Sequence, residues 1–284
     1  MRPVPPDPQV SRDSADIHAR DRHRREIVLF CLLAYALAWL AWAPLWLGGL
    51  IVTKGTLPTH LPGLLAPAAA AASLAAVAGR PALRDLARRL GTLPGRPLPW
   101  VLALTPLPVI ALAVALGADP AGLNRYSGLP VLPWGATLAA IVIVNGLGEE
   151  LGWRGFLLPR AQAVWGVRAG TLATGAIWAL WHLPMFFVLA TYREMGAPGL
   201  LFGFGIGILA GACVLAHLAS LARGGVVLAV LWHTGFNLGT GTALGGLAPM
   251  LLSALAIAWA LWLLRRAPGA MRVPLPTPAS ERPA

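Results

Sequence analysis

The feature that most constrains this chain is a succession of apolar runs, each about as long as a helix that crosses a bilayer. The first extends from Ile27 to about Leu47, and seven more follow at about 63–79, 99–117, 132–158, 169–190, 200–221, 224–241 and 248–264. About 20 consecutive apolar residues span a hydrocarbon core as an α-helix. The chain is 57% hydrophobic and 12% charged, with a mean hydropathy of +0.69, whereas soluble domains are about one quarter charged. We therefore expect an all-α polytopic membrane protein, a bundle of about eight transmembrane helices.

Basic residues are distributed unevenly between alternate connections. With the N-terminus in the cytoplasm, 19 of the 22 Lys and Arg residues fall on the inner side, and only Lys54, Arg125 and Arg193 remain for the outer loops. Basic residues close to spans stay on the cytoplasmic side. The pattern predicts a multi-pass protein of the cell membrane with both termini cytoplasmic. The net charge of +11 is then expected to set topology and contact the lipid bilayer, and no nucleic acid partner is expected.

Three polar segments lie outside the apolar runs. Residues 1–26 are rich in Pro, Asp and Arg and are expected to form a disordered cytoplasmic tail, and the proline-rich residues 267–284 a second one. Residues 27–266 are expected to form the eight-helix domain. The stretch 83–90 places its leucines on one helical face and most of its arginines elsewhere, which predicts a short amphipathic helix on the inner membrane surface.

Two of the eleven acidic residues, Glu149 and Glu150, lie in an apolar run. Ionisable side chains inside a membrane are costly and are usually paired or functional. Glu150 and Arg154 are four residues apart, so they can pair on one helical face. Glu149 is rotated about 100° from Glu150 and has no partner in its own helix. Its carboxylate needs a partner from another helix.

Histidines in later runs supply candidates. His182 and His233 lie inside separate predicted spans, and Asn237 shares a helical face with His233. His217 is expected to form a hydrogen bond between helices, and His60 is assigned to an outer loop. A buried carboxylate and an imidazole can activate a water molecule, and a second imidazole with an amide can stabilise an oxyanion. The set indicates a hydrolase.

Three motifs in order resemble the CAAX protease and bacteriocin-processing (CPBP) family of intramembrane endopeptidases. The family's EExxxR motif corresponds to residues 149–154, FxxxH to residues 178–182 with Trp178 in place of Phe, and HxxxN to residues 233–237. The resemblance covers about residues 60–245. It implies a CAAX prenyl protease-like enzyme that cleaves a membrane-embedded or lipid-anchored protein from the cytoplasmic side.

The resemblance also implies roles for individual residues. Glu149 would activate the hydrolytic water with His182, while Glu150 and Arg154 would support the site. His233 and Asn237 would stabilise the oxyanion or help to bind a metal. Glu149, His182 and His233 would satisfy a three-ligand site for a divalent metal such as zinc, and the same residues suffice without a metal.

Other functions are compatible with the same residues. The chain could be a non-catalytic membrane scaffold or a bacteriocin immunity protein that keeps the polar cluster for folding. A proton-coupled transporter also uses intramembrane Glu and His, and a haem protein could use His182 and His233. For the enzyme, we expect the six motif residues to line one water-filled cavity open to the cytoplasm. The motif residues lie at the same depth in the membrane only if the fourth span is tilted or bulged near Gly146 and Gly148.

Overall fold

The computed structural model describes residues 8–275, and in this range the chain is helical, with isolated bridges but no β-strand. The helices are α1 (Pro8–Leu47), α2 (Ala66–Val77), α3 (Arg80–Gly91), α4 (Pro97–Ala103), α5 (Pro106–Ala115), α6 (134–165), α7 (Val167–Trp181), α8 (Gly199–Leu221), α9 (Val227–Gly241) and α10 (Leu247–Arg266). Short helical turns lie at Leu61–Leu64, Pro120–Asn124, Met185–Val188, Ala190–Arg193 and Pro268–Met271. The predicted all-α class is confirmed.

Four helical segments are long and apolar enough to cross a membrane: Ile17–Leu47, Val167–Val188, Gly199–Leu221 and Leu247–Arg266. Helices α4 and α5 would form a fifth span, bent by 45° where they meet. The remaining predicted spans correspond to α2, α6 and α9, of which α2 has 12 residues and α9 has 15. The chain is thus a multi-pass membrane protein, and the full count of eight spans stays a prediction.

Helix α6 carries the adjacent glutamates and is not a regular α-helix. It contains two π-helical segments, Ile141–Leu147 and Trp153–Leu157, which flank the glutamates on either side. A π segment widens the helix locally and changes the direction in which the following side chains point. The expected bulge in this span is confirmed, because Gly146 lies in the first π segment.

Glycines allow α6 to approach its neighbours closely. A Cβ at Gly146 would lie 2.7 Å from the hydroxyl oxygen of Thr234 on α9. A Cβ at Gly152 would lie 2.5 Å from the backbone of Pro67 on α2. Helix α6 is therefore held between α2 and α9 at distances that only glycine permits.

Four connections meet at the end of the bundle that carries few basic residues. We call residues 48–60, 116–133, 189–198 and 242–246 the loop cap. Isolated bridges join Val52 to Leu189 and Tyr126 to Thr242. The ammonium of Lys54 also donates to the carbonyl of Thr242 at 2.7 Å. The loop cap is thus one connected layer.

The opposite, arginine-rich end is closed by buried cations. Arg89 on α3 donates to Asp85 at 3.1 Å and to the carbonyls of Gly224 and Pro274 at 3.2 Å each. Arg160 on α6 donates to Glu26 of α1 at 2.7 Å. The amphipathic helix predicted at 83–90 is confirmed as a helix, but Arg89 is buried and not displayed on its polar face.

The two predicted tails differ from expectation where the structure describes them. Residues 8–26 belong to α1 and are helical. Residues 267–275 dock on the bundle, because Met271 and Val273 are buried and the side-chain amide of Gln162 bonds the backbone of both. The composition of these segments did not reveal the partners that order them. Residues 1–7 and 276–284, also assigned to the tails, lie outside the described residues.

The arginine distribution predicts a definite topology. Reporter fusions after residues 55, 122 and 195 should read as external, and fusions after residues 90, 162 and 270 as internal. The measurement is the activity of paired reporters, one active only outside and the other only inside the cell. A reversed pair would contradict the predicted order of spans.

The close packing of α6 predicts that Gly152→Ala destabilises the fold. Its new Cβ would press on backbone atoms of Pro67, and overpacking of this kind costs about 1–3 kcal/mol. Gly155→Ala is the matched control, because its Cβ would meet its nearest atom at 3.4 Å. Thermal unfolding in detergent should show a lower Tm for Gly152→Ala and an unchanged or higher Tm for Gly155→Ala. Equal Tm values for the two variants would contradict the close packing.

Candidate active site

A buried carboxylate lies at the centre of the polar cluster. Glu150 is fully buried, and its Oε1 accepts hydrogen bonds from Arg154 Nη1 and from His233 Nδ1, both at 2.8 Å. The pairing with Arg154 is the one that the spacing predicted. The second bond joins α6 to α9. It also orients His233: a carboxylate only accepts, so the proton of Nδ1 is directed to Glu150 and Nε2 remains available.

The neighbouring carboxylate makes a different contact. Glu149 is 2% exposed, and its Oε2 accepts a hydrogen bond from Trp178 Nε1 at 2.8 Å. The required partner from another helix is therefore a tryptophan on α7. The sequence analysis named Trp178 only as the replacement for Phe in the second motif. A phenylalanine there could not donate this bond.

His182 follows directly after α7 and is fixed by its own turn. Its Nδ1 lies 2.8 Å from the carbonyl oxygen of Trp178. A carbonyl only accepts, so Nδ1 carries the proton, and Nε2 of the neutral ring is an acceptor. Both candidate histidines thus bond through Nδ1 and keep Nε2 for other partners.

The indole of Trp178 connects the groups of the cluster. Its ring centroid lies 5.6 Å from that of His182 and 5.3 Å from that of His233. The guanidinium carbon of Arg154 lies 4.5 Å from the centroid of the same ring. Cations are attracted to the face of an indole. The indole of Trp178 therefore lies between the guanidinium of Arg154 and the cavity, and its Nε1 donates to Glu149.

A cavity of about 230 Å³ brings four of the six predicted residues together. Its walls include Glu149 of α6, His182 after α7, and His233 and Asn237 of α9. Glu150 and Arg154 do not line it, because both are fully buried behind the wall. The expectation that all six face the cavity is wrong for these two. The salt bridge turns them toward α9 and the face of Trp178.

Several lining residues were not predicted as part of the site. Asn145 lies one turn before Glu149 and lines the cavity, as do Tyr126 and Tyr192 of the loop cap. His60, assigned to an outer loop, is buried and also lines it. These residues lie far apart in sequence, so only the folded loop cap brings them together. The sequence does contain a signal for Asn145, because a residue four positions before Glu149 lies on the same face of a helix.

His217 lies elsewhere. Its Nδ1 accepts a hydrogen bond from Trp259 Nε1 at 3.2 Å, which joins α8 to α10. This is the interhelical contact that the sequence analysis expected. His217 is not among the residues that line the cavity.

Two of the residues that line the cavity, Thr191 and Gly203, are exposed, and both lie at or near the loop cap. The arginine-rich end, with Arg89 and Gly224, is at the other end of α8 and α9. The expected opening of the cavity to the cytoplasm stays a prediction, as does the side of the membrane on which each end lies.

Two imidazoles and a carboxylate are donors that zinc accepts. Within residues 8–275, however, no three His, Cys, Asp or Glu side chains are grouped so that they could hold a metal ion. Glu149, His182 and His233 therefore do not fit a metal site in this arrangement, and the chemistry considered below uses the side chains alone.

The chain is similar to known proteins over the range that carries this site. Residues 131–239 match the family model "Type II CAAX prenyl endopeptidase Rce1-like", a range that contains all six predicted site residues. The chain is also similar to the protein named "CAAX prenyl protease 2" of Methanococcus maripaludis, with 26% identity over 188 residues, 63% of this chain and 69% of that protein. Together with the three motifs, these matches make the chain similar to CPBP-family endopeptidases over the part that carries the candidate site.

Proposed function

We propose that this protein is an intramembrane endopeptidase, CAAX prenyl protease-like, in which Glu149 and His182 activate the hydrolytic water. The substrate would be a membrane-embedded or lipid-anchored protein. The observation that carries the proposal is the position of Glu149, a buried carboxylate on the wall of a cavity that two imidazoles and an amide also line. The similarity to a CAAX prenyl endopeptidase family model and to a protein named CAAX prenyl protease 2 supports the reaction class.

The first step is the attack of water on the scissile carbonyl carbon. A water between Glu149 and His182 would donate one hydrogen bond to the free carboxylate oxygen and one to His182 Nε2. As the water oxygen bonds to carbon, its proton passes to Glu149, a general base. Trp178 already bonds Oε2 of Glu149 at 2.8 Å, which holds the carboxylate in place for this transfer.

The second requirement is a donor set for the oxyanion. Asn237 lines the cavity, and its Nδ2 has no hydrogen-bond partner among the described residues. His233 lies one turn before Asn237 on the same helix and also lines the cavity. The proposed oxyanion donor is therefore Asn237 Nδ2, with His233 beside it.

The third step breaks the peptide bond. The proton held by Glu149 passes to the leaving nitrogen, the carbon–nitrogen bond breaks, and the oxyanion collapses to a carboxylic acid. Glu149 is then a carboxylate again, so the site has its starting charge, and the product acid gives its proton to the released amine or to bulk water. Glu149 thus serves first as a general base and then as a general acid, because the proton that it takes from water is the one that it gives to the leaving nitrogen.

A non-catalytic scaffold is the second candidate, and the unpaired polar atoms argue against it. Asn145 Oδ1 and Asn237 Nδ2 are buried and have no partner within residues 8–275, although both residues line the cavity. Buried polar groups in native proteins are nearly always hydrogen-bonded. Glu150 and Arg154 also have atoms without a partner behind the wall, so the support comes from the position of the Asn145 and Asn237 atoms on the wall, where water and a peptide can bond them.

We expect Glu149→Gln to abolish cleavage without unfolding the protein. The amide keeps the size of the side chain and can still accept from Trp178, but it cannot take a proton, so the rate should fall by about 10²–10⁴-fold. Cleavage of a panel of prenylated and unmodified peptides in detergent, followed by mass spectrometry, measures this. Glu194→Gln, at an exposed glutamate, is the control. Unchanged cleavage by Glu149→Gln would contradict the role of Glu149 as the base, and a wild-type protein that cleaves no peptide would favour the scaffold.

We expect Arg154→Met to reduce both stability and activity. Removing one partner of a buried ion pair leaves Glu150 with less compensation, which costs about 3–5 kcal/mol. Thermal unfolding should give a clearly lower Tm than the wild type, while Glu149→Gln stays close to it. Arg168→Met, at an exposed arginine, should change neither property. A normal Tm for Arg154→Met would contradict the supporting role of the pair.

A further inference from the structure

One imidazole in the cavity wall has no part in the reaction described above. His60 is the last residue of the first loop-cap segment, directly before the turn Leu61–Leu64, and it is 5% exposed and lines the cavity. Its Nδ1 is enclosed and has no hydrogen-bond partner in the part of the chain that the structure describes. Buried polar groups in native proteins are nearly always paired. The chain thus keeps a polar ring where no contact of that ring within the described protein accounts for it.

The backbone of His60 is held independently of its ring. The carbonyl oxygen of His60 accepts a hydrogen bond from Trp42 Nε1 of α1 at 2.7 Å. The indole of Trp42 packs on that of Trp181, with ring centroids 5.0 Å apart, and Trp181 packs on the imidazole of His182 at 4.9 Å. None of these contacts uses the side chain of His60. A substitution at His60 therefore leaves the contacts that tie its turn to the His182 turn in place.

The surroundings of Nδ1 decide which nitrogen of the ring carries the proton. A Cβ at Gly128 would lie 2.9 Å from Nδ1 of His60, so the loop cap closes this nitrogen off. The N–H of Gly128 already donates to the carbonyl of Thr53 at 2.9 Å. A neutral imidazole has one N–H, and an enclosed N–H without an acceptor is rarer in proteins than an enclosed acceptor without a donor. The proton therefore belongs on Nε2, which is not enclosed and is left to the cavity.

The ring of His60 is uncharged near neutral pH. Burial lowers the pKa of His60 to about 4, and the nearby imidazole of His182 acts in the same direction. His182 has the opposite tautomer, because its Nδ1 donates to the carbonyl of Trp178 and its Nε2 is an acceptor. The two histidines thus present complementary groups to the cavity, a donor at His60 and an acceptor at His182.

The position of His60 separates it from the general base. The turn after His60 meets α6 beside Glu149, because the carbonyl oxygen of Leu64 would lie 2.9 Å from a Cβ at Gly148. His60 precedes Leu64 by four residues, which is about 6 Å along a helical turn. The donor of His60 is therefore about one turn away from the level at which Glu149 would act on water.

We propose that His60 is a substrate-binding residue, which donates from Nε2 to a backbone carbonyl oxygen of the bound peptide outside the bond that is cleaved. Every peptide presents such an acceptor, so this contact would orient the backbone whatever the side chains are. A contact outside the reacting bond is the same in the ground state and in the transition state, so it lowers KM and leaves kcat unchanged. The inference rests on the proposed function, because the ligand is the proposed substrate.

Substitutions at His60 test the role through the separation of KM from kcat. The amide nitrogen of His60→Gln reaches the position of Nε2, whereas that of His60→Asn reaches only the position of Nδ1. His60→Gln should keep KM within about twofold of the wild type, while His60→Asn and His60→Phe should raise it about threefold to tenfold, as one lost neutral hydrogen bond predicts. We expect kcat to stay unchanged. The measurement is cleavage in detergent of the panel peptide that the wild type cleaves fastest.

His217→Gln is the matched control, because it removes a buried imidazole that does not line the cavity, and it should leave KM unchanged. Equal KM values for His60→Gln and His60→Phe, or a loss of kcat with an unchanged KM, would overturn the proposal. If cleavage were still lost in Glu149→Gln, the proposed function would stay intact. A wild-type protein that cleaves no peptide would overturn both.

The donor state of His60 can be measured without catalysis. NMR of the full chain with isotope-labelled histidine distinguishes a ring protonated at Nε2 from one protonated at Nδ1. The signal that disappears in His60→Gln should be that of a neutral ring protonated at Nε2. A ring protonated at Nδ1, or a charged ring at neutral pH, would overturn the assignment of His60 as a neutral donor, whatever the activity of the protein.

Discussion

The arrangement of the site depends on one oxygen atom, Oε1 of Glu150, which accepts from Arg154 and from His233 at 2.8 Å each. In a low-dielectric interior, an unpaired carboxylate would be far too costly to keep. Two donors on different helices make Glu150 tolerable and fix α9 against α6. The same contact sets which nitrogen of His233 is available to the cavity. Helix packing and site chemistry are therefore consequences of a single shared acceptor.

The adjacent glutamates divide two tasks that one carboxylate could not perform. Glu150 accepts from Arg154 and His233 and lies behind the cavity wall, so it is not placed to take a proton from a water molecule in the cavity. Glu149, turned about 100° around the helix axis, meets the indole of Trp178 and the cavity instead. The π segments Ile141–Leu147 and Trp153–Leu157 flank the pair. They widen the helix where Gly146 and Gly152 bring α9 and α2 closest.

The sequence predicted the helical class, the pairing of Glu150 with Arg154, and the need for a partner of Glu149, because these depend on spacing within one helix. It also placed His233 and Asn237 on one face, and the structure has both in the cavity wall. It did not predict Tyr126, Tyr192 or His60 there, since contacts between distant loops leave no local pattern. The docking of residues 267–275 was missed for the same reason: Gln162 lies more than 100 residues away.

The positions of the arginines connect topology to access. Those near the inner ends of the helices are expected to hold the bundle in one orientation, and two of them, Arg89 and Arg160, are also buried in contacts that close that end. The same side chains would therefore both orient the bundle and close its arginine-rich end. The loop cap is poor in charge and joined mainly by backbone contacts, so it is the end at which the bundle can open without breaking an ion pair of the described residues.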